Sequence, residues 1–168
     1  MDLLPLFVKL TGRRVALVGA GPAAVGKLEA LLRAGADVRV IDPAAFRDGD
    51  LDAAWLVVSA ASAEINQRVA AAADARRIFV NAVDDPVNAS AYLGGVIRRS
   101  GVTIAISTTG EAPALAGILR EGLDALLPAD LDRWIACARD LRRTWKADAV
   151  PMAERRPQLI DKLKDLYP

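Results

Sequence analysis

The stretch Val15-Ala16-Leu17-Val18-Gly19-Ala20-Gly21-Pro22-Ala23-Ala24 decides the fold. Its first half is an apolar run that reads as a buried strand. Its second half is a G-x-G-x-x-A turn. There the first glycine permits the sharp exit from the strand, the second lets backbone approach a pyrophosphate, and a small third residue lets strand and helix pack closely. Beyond it, Val25, Leu28, Leu31 and Leu32 recur at helical spacing up to Ala34, and Gly35 stands where a left-handed helix cap belongs. The pattern predicts strand, turn and helix, with the helix N-terminus offering unpaired N–H groups to phosphate.

Working outward, Asp37 to Ile41 reads as a second strand closing at Asp42-Pro43, Trp55 to Ala60 as a third, and Arg77 to Asn81 as a fourth, with a helix over Glu64 to Ala75 between the last two. Alternation of strand and helix predicts a parallel sheet with right-handed crossovers. Only twelve residues separate Asp42 from Trp55, too few for a full crossover unit. The class is therefore α/β, a Rossmann-like parallel sheet one strand shorter than usual, with an altered strand order at that point as the alternative. The pattern then changes. Tyr92 to Arg99 and Val102 to Ser107 are strand-like runs joined only by Ser100-Gly101, which predicts an antiparallel hairpin. Helices are expected over Pro113 to Leu127, Leu131 to Trp145 and about Met152 to Leu166. We divide the chain into a nucleotide-binding part over 1–86, a hairpin and helix module over 87–127, and a C-terminal helical region over 128–168.

Asp42 lies near the roughly 20-residue spacing at which an acid bonds a ribose 2′-hydroxyl. A carboxylate there repels a 2′-phosphate, so NAD is expected over NADP; Asp42 could equally cap a turn. Composition narrows the chemistry further. The 168 residues are 53% hydrophobic, enough for a sizeable core. Lys and Arg number 22 against 21 Asp and Glu, with no basic arm, so nucleic acid is not an expected partner. There is no histidine, which excludes a Ser-His-Asp triad, a Cys-His pair and a His-ligated metal, and no metal site is expected. The single cysteine, Cys137, reads as a buried thiol in a helix. No apolar run suggests a signal peptide or a membrane span, so a cytoplasmic protein is the expectation.

Four further stretches carry a resemblance. They are VALVGAGPAAVGK at Val15 to Lys27, NQRVAAAADARRIFVNAVDDP at Asn66 to Pro86, AISTTGEAPALAGILRE at Ala105 to Glu121, and ERR at Glu154 to Arg156, preceded by Leu4-Pro5-Leu6-Phe7. In this order they resemble the precorrin-2 dehydrogenase and sirohydrochlorin ferrochelatase family, which includes the N-terminal domain of siroheme synthase. The resemblance implies NAD-dependent oxidation of precorrin-2 to sirohydrochlorin on the route to siroheme. Within it, insertion of Fe²⁺ by the same chain and a non-catalytic tetrapyrrole- or nucleotide-binding module stand as alternatives. It also implies a homodimer built through the hairpin and later helices, Asp84 as the catalytic carboxylate, and cofactor contacts at Pro22, Ala23, Pro43 and Ala44.

The residues themselves support a site. Without histidine, carboxylates lead as bases, and Asp84 follows the fourth strand, where open α/β sheets bind ligands. Partial burial at such a strand end suits a carboxylate for general-base work; Asp84 could also simply open the Asp84-Asp85-Pro86 turn. Asn81 is a candidate to orient cofactor or substrate, or equally to satisfy backbone groups near the strand end. Ser107-Thr108-Thr109-Gly110 directly precedes a helix and could offer hydroxyls and N–H groups to substrate carboxylates, or merely cap that helix. Arg98 and Arg120 are the first candidate cations for a polycarboxylated tetrapyrrole, followed by Arg99, Arg155 and Arg156.

Overall fold

In the computed structural model, residues 3–167 are described, and they form two compact units. The first comprises residues up to Gly94 together with Ser107–Pro113, and the second comprises Gly95–Ile106 and the residues from Ala114 onward.

The first unit holds a parallel sheet of four strands, β1 (Arg14–Gly19), β2 (Asp37–Ile41), β3 (Leu56–Ala60) and β4 (Phe79–Ala82), in the order β2-β1-β3-β4. This is the Rossmann order 3-2-1-4-5 without its outer third strand. Helix α1 (Gly21–Arg33) and helix α2 (Ala63–Asp74) cover opposite faces. Strand alternation sorts the core accordingly. Val15, Leu17 and Val58 pack with Leu31 of α1, while Ala16, Val18, Val57 and Val80 pack with Val69, Ala72 and Ala73 of α2.

The missing crossover is replaced by two short 3₁₀ turns, Pro43–Ala45 and Asp48–Leu51. They drop Phe46, Leu51 and Ala54 into the α2-side core, where Leu51 is fully buried. Truncating a leucine so enclosed typically costs about 2–5 kcal/mol, so this loop is structural and not a loose remnant. Gly35 takes the expected left-handed conformation at φ 78°. At the far side, the segment after β4 folds back: Ser90 and Ala91 donate backbone N–H bonds to Val80 O, and Val80 N donates to Ser90 Oγ. That covers one sheet edge.

The second unit holds the antiparallel hairpin β5 (Gly95–Arg99) and β6 (Val102–Ile106), with helices α3 (Pro113–Leu126), α4 (Leu131–Ala147) and α5 (Met152–Lys164). Ser100 and Gly101 both have positive φ, 51° and 84°, as a two-residue hairpin turn of the primed type requires. The strand expected from Tyr92 begins only at Gly95, because Tyr92 is engaged elsewhere, against Gly110 and Pro86. Arg99 ties the hairpin to the end of α3, donating to Leu127 O at 3.1 Å and to Asp124 Oδ1 at 2.8 Å. Cys137 lies in α4 but is half-buried, not buried as expected, since α4 packs on one side only. No described helix is long and apolar enough to cross a membrane.

Candidate functional site

The site grows from the end of β1. A Cβ added at Gly19 would lie 2.8 Å from Ala60 O and 3.3 Å from Ala24 Cβ, so only glycine lets β3 and α1 close together there. Gly21 has φ +78°, and a Cβ on it would meet nothing within 4 Å, so the second glycine faces open space. Ala20 caps α1 without any side-chain bond, and the first turn of the helix carries no acid. The leading N–H groups are thus neither capped by a side chain nor opposed by negative charge. Gly21, Pro22 and Ala23 are exposed. The arrangement fits a pyrophosphate.

Asp42 follows β2 directly and is exposed. One carboxylate oxygen, Oδ1, accepts from Ala44 N at 2.7 Å, so the aspartate caps the turn made by Pro43 and Ala44. Both roles weighed for it from sequence are compatible, since one oxygen serves each. A shallow concavity of about 350 Å³ opens beside it, lined by Arg39, Asp42, Arg47 and Asp50 among others, with an Arg39–Asp50 ion pair at 2.6 Å on its wall.

At the other side of the sheet, Asn81 is 5% exposed in β4. Its Nδ2 donates to Ala91 O at 2.9 Å, and its Oδ1 has no partner among the described residues. A buried acceptor left unpaired costs about 1–3 kcal/mol, which a ligand donor would recover. Asn81 pairs in register with Val58 and shares its α1-side face.

Three residues further on, Asp84 has φ +55°. Aspartate tolerates this left-handed conformation better than most residues, yet it still costs about 1–2 kcal/mol. Asp84 is exposed, and the partial burial expected from sequence is not found: the left-handed turn lifts it clear of the strand end. Its neighbour Asp85 accepts from Asn88 Nδ2 at 2.8 Å and from Asn66 Nδ2 at 3.2 Å. The Asn88 amide, and after it that of Asn66, hold the Asp85 carboxyl below the usual carboxylate range against partial desolvation. Of the two acids, Asp85 is bound into the structure and Asp84 is presented.

The Ser107–Gly110 segment comes to the same place. Gly110, with φ +82°, lies where a Cβ would be 3.4 Å from Pro86 and 3.7 Å from the Tyr92 ring. Thr108 Oγ1 accepts from Ala112 N at 3.3 Å and Ser107 Oγ from Thr109 N at 3.2 Å, so these hydroxyls cap the turn before α3. Although it follows the hairpin in sequence, this loop belongs to the sheet unit. Arg98 and Arg120 belong to the other unit; Arg98 is exposed, and Arg120 pairs with Glu121 at 2.9 Å. Arg99 is committed to α3, and Arg155 donates to Val150 O and packs by the Trp145 ring.

Sequence reasoning missed Lys27. Ala24, Lys27, Leu28 and Leu31 stand at i, i+3, i+4 and i+7, the core-facing stripe of α1. Lys27 is half-buried there; burial lowers its pKa, and the Asp84 charge raises it in part. A lysine at a position where the helical period demands an apolar residue was the available signal.

Fold and site together define a Rossmann-type dinucleotide-binding protein with an open crevice at the carboxyl ends of its strands. A family model described as "Putative NAD(P)-binding" matches residues 6–95, and the chain belongs to that family. Among curated proteins, it is 40% identical to siroheme synthase of Photorhabdus laumondii and to siroheme synthase 1 of Aeromonas salmonicida, each over 176 positions. These matches cover 93% of this chain but only 37% and 38% of the relatives, so the chain spans well under half their length. The aligned span exceeds this chain's 168 residues, so the relatives carry segments that it lacks. A solved structure titled "SirC, precorrin-2 dehydrogenase" superposes with a TM-score of 0.70 over 98% of this chain and 92% of that one, at 19% identity, which establishes the shared fold.

Proposed function

We propose that this chain catalyses NAD-dependent dehydrogenation of precorrin-2 to sirohydrochlorin in siroheme biosynthesis. The observation that carries the reading is Asp84, an exposed carboxylate held on a left-handed turn at the carboxyl end of β4. It stands two strands, or about 10 Å of sheet edge, from the β1 end that carries the glycine loop. The titles of the relatives and of the structural neighbour support the same substrate class.

The nicotinamide, when bound, supplies the hydride acceptor. The leading N–H groups of α1 would hold the phosphates of the dinucleotide, with Pro22 and Ala23 along the loop. Asp42, next to Pro43 and Ala44, accepts from the ribose hydroxyl and repels a 2′-phosphate, which favours NAD. Asn81 Oδ1 takes a ligand N–H bond that the protein itself does not supply. Asp84 accepts the proton lost from the macrocycle, contributing about 10²- to 10⁴-fold as a general base. Ser107 to Gly110 meet substrate carboxylates through N–H and hydroxyl groups, with Arg98 and Arg120 as further cations.

The reading includes a homodimer. Leu115, Ile118, Leu119 and Leu126 of α3 are exposed, a concentration of apolar surface typical of an association face. It also includes a cytoplasmic location, and the division into nucleotide-binding, hairpin–helix and C-terminal helical parts read from sequence.

The test is turnover. Purified protein given precorrin-2 and NAD should form NADH and sirohydrochlorin in equal amounts, with NADP a poorer acceptor. No NADH under conditions where the protein binds NAD would overturn the proposal.

A further inference from the structure

Behind the Asp84 turn lies a polar chain that the proposed chemistry leaves unused. Ser59 in β3 and Asn66 in α2 are 0% and 1% exposed, two of three buried polar side chains among the described residues. Ser59 Oγ donates to Asn66 Oδ1 at 2.7 Å. The two partners together fix which way the amide faces: the Asp85 carboxylate only accepts and takes the nitrogen, so the oxygen is left to the Ser59 hydroxyl. Asn66 Nδ2 then donates to Asp85 Oδ2 at 3.2 Å, the same oxygen that Asn88 Nδ2 reaches at 2.8 Å. Ser59 acts a second time through its backbone, where Ser59 O accepts from Val83 N at 2.8 Å. Residues on both sides of Asp84 are therefore pinned to the sheet and to α2, while Asp84 itself sits at positive φ between them.

We propose that Asn66 is a positioning residue for Asp84: its buried amide, oriented by Ser59, clamps Asp85 and thereby holds Asp84 in the left-handed turn that presents its carboxylate to the crevice. This rests on the reading of Asp84 as the base. The polarity of the chain is its distinguishing property. A donor must face Asp85, and an acceptor must face Ser59.

That polarity gives a sign-specific test. Asn66→Asp sets two carboxylates against each other and removes the donor. Asp85→Asn keeps every bond, since an amide oxygen still accepts from both asparagines. The double variant Asn66→Asp with Asp85→Asn restores the bond between 66 and 85 with the donor on the other side, and the Asn88 amide turns over to accept the second N–H of residue 85. Three measurements suffice on the full chain: kcat with precorrin-2 and NAD, the NAD dissociation constant, and amide hydrogen exchange over residues 83–88.

We expect Asn66→Asp to lower kcat about 30- to 100-fold, to leave NAD affinity within about threefold, and to speed exchange at 83–88 selectively. Asp85→Asn should stay within about threefold of the native protein, and the double variant should recover most of the lost kcat and protection. A harmless Asn66→Asp, or a double variant as impaired as the single one, overturns the proposal. Should the native chain show no turnover, the dehydrogenase reading fails by itself. The clamp is then judged on exchange alone, where loss in the single variant and recovery in the double are still required.

Discussion

The two units of this chain differ in how completely each closes its own core. Among the described residues, nineteen of the twenty-three buried apolar ones lie in the sheet unit, against four, Ile97, Ala116, Leu131 and Trp145, in the hairpin–helix unit. The sheet is covered on both faces by its own helices, and even its shortened connection contributes Phe46 and Leu51 to the interior. The hairpin unit instead relies on polar ties, such as Arg99 to Asp124 and Trp145 to Gln158, and leaves an apolar face of α3 in water. A small unit that buries so little has weak independent stability. The lesson is a division of labour: the sheet unit is finished within one chain, whereas the hairpin unit leaves apolar surface that the proposed homodimer would cover.

The largest effect should fall in the finished unit. Asp84→Ala should reduce kcat about 10²- to 10⁴-fold while NAD affinity, measured by titration, stays near native. Retained turnover would break the assignment of chemistry to the sheet unit. Next, Ile118→Asp together with Leu126→Asp should weaken self-association about 100-fold or more, since a charge in an apolar interface goes unpaired. Sedimentation would show monomer, with the sheet unit still binding NAD. A native chain that is already monomeric would erase the contrast between the units. Gly19→Ala places a methyl against Ala60 O and should destabilise the protein by about 1–3 kcal/mol in chemical denaturation.

The smallest effect is a pH dependence. Asp85 has its folded pKa below the unfolded value, so its contribution to stability is present above the ordinary carboxylate range and is lost as pH falls through the lowered folded value. Asp85→Asn should flatten that acid limb in denaturation curves. A limb of unchanged slope would place the acid sensitivity elsewhere.

Much of the sheet unit was legible in sequence because each strand is an apolar run stopped by a turn residue, and Gly19, Gly21 and Asp42 stand at the stops. The narrower sheet followed from a residue count alone. Other features depend on tertiary partners. Tyr92 has a strand-like side chain, yet packing on Gly110 removes it from β5. Asn66 looks like any polar helix residue until Ser59, seven positions earlier on a buried strand, is seen to face it. Asp84 at the strand end was foreseeable, but not its exposure, because a left-handed aspartate depends on what pins its neighbours. The stripe on α3 was periodic in sequence, and periodicity does not say whether the chain covers its own apolar residues.

The shortened connection after β2 has a further consequence. With no third strand beyond it, β2 keeps one row of main-chain groups facing outward, the kind of border along which unrelated chains can stick together. Asp37 and Arg39 put opposite charges on that border, and Arg39 is braced by Asp50 from the very loop that replaced the missing strand. The truncation thus carries its own guard against aggregation, and neutralising Arg39 and Asp37 together would expose the protein to it.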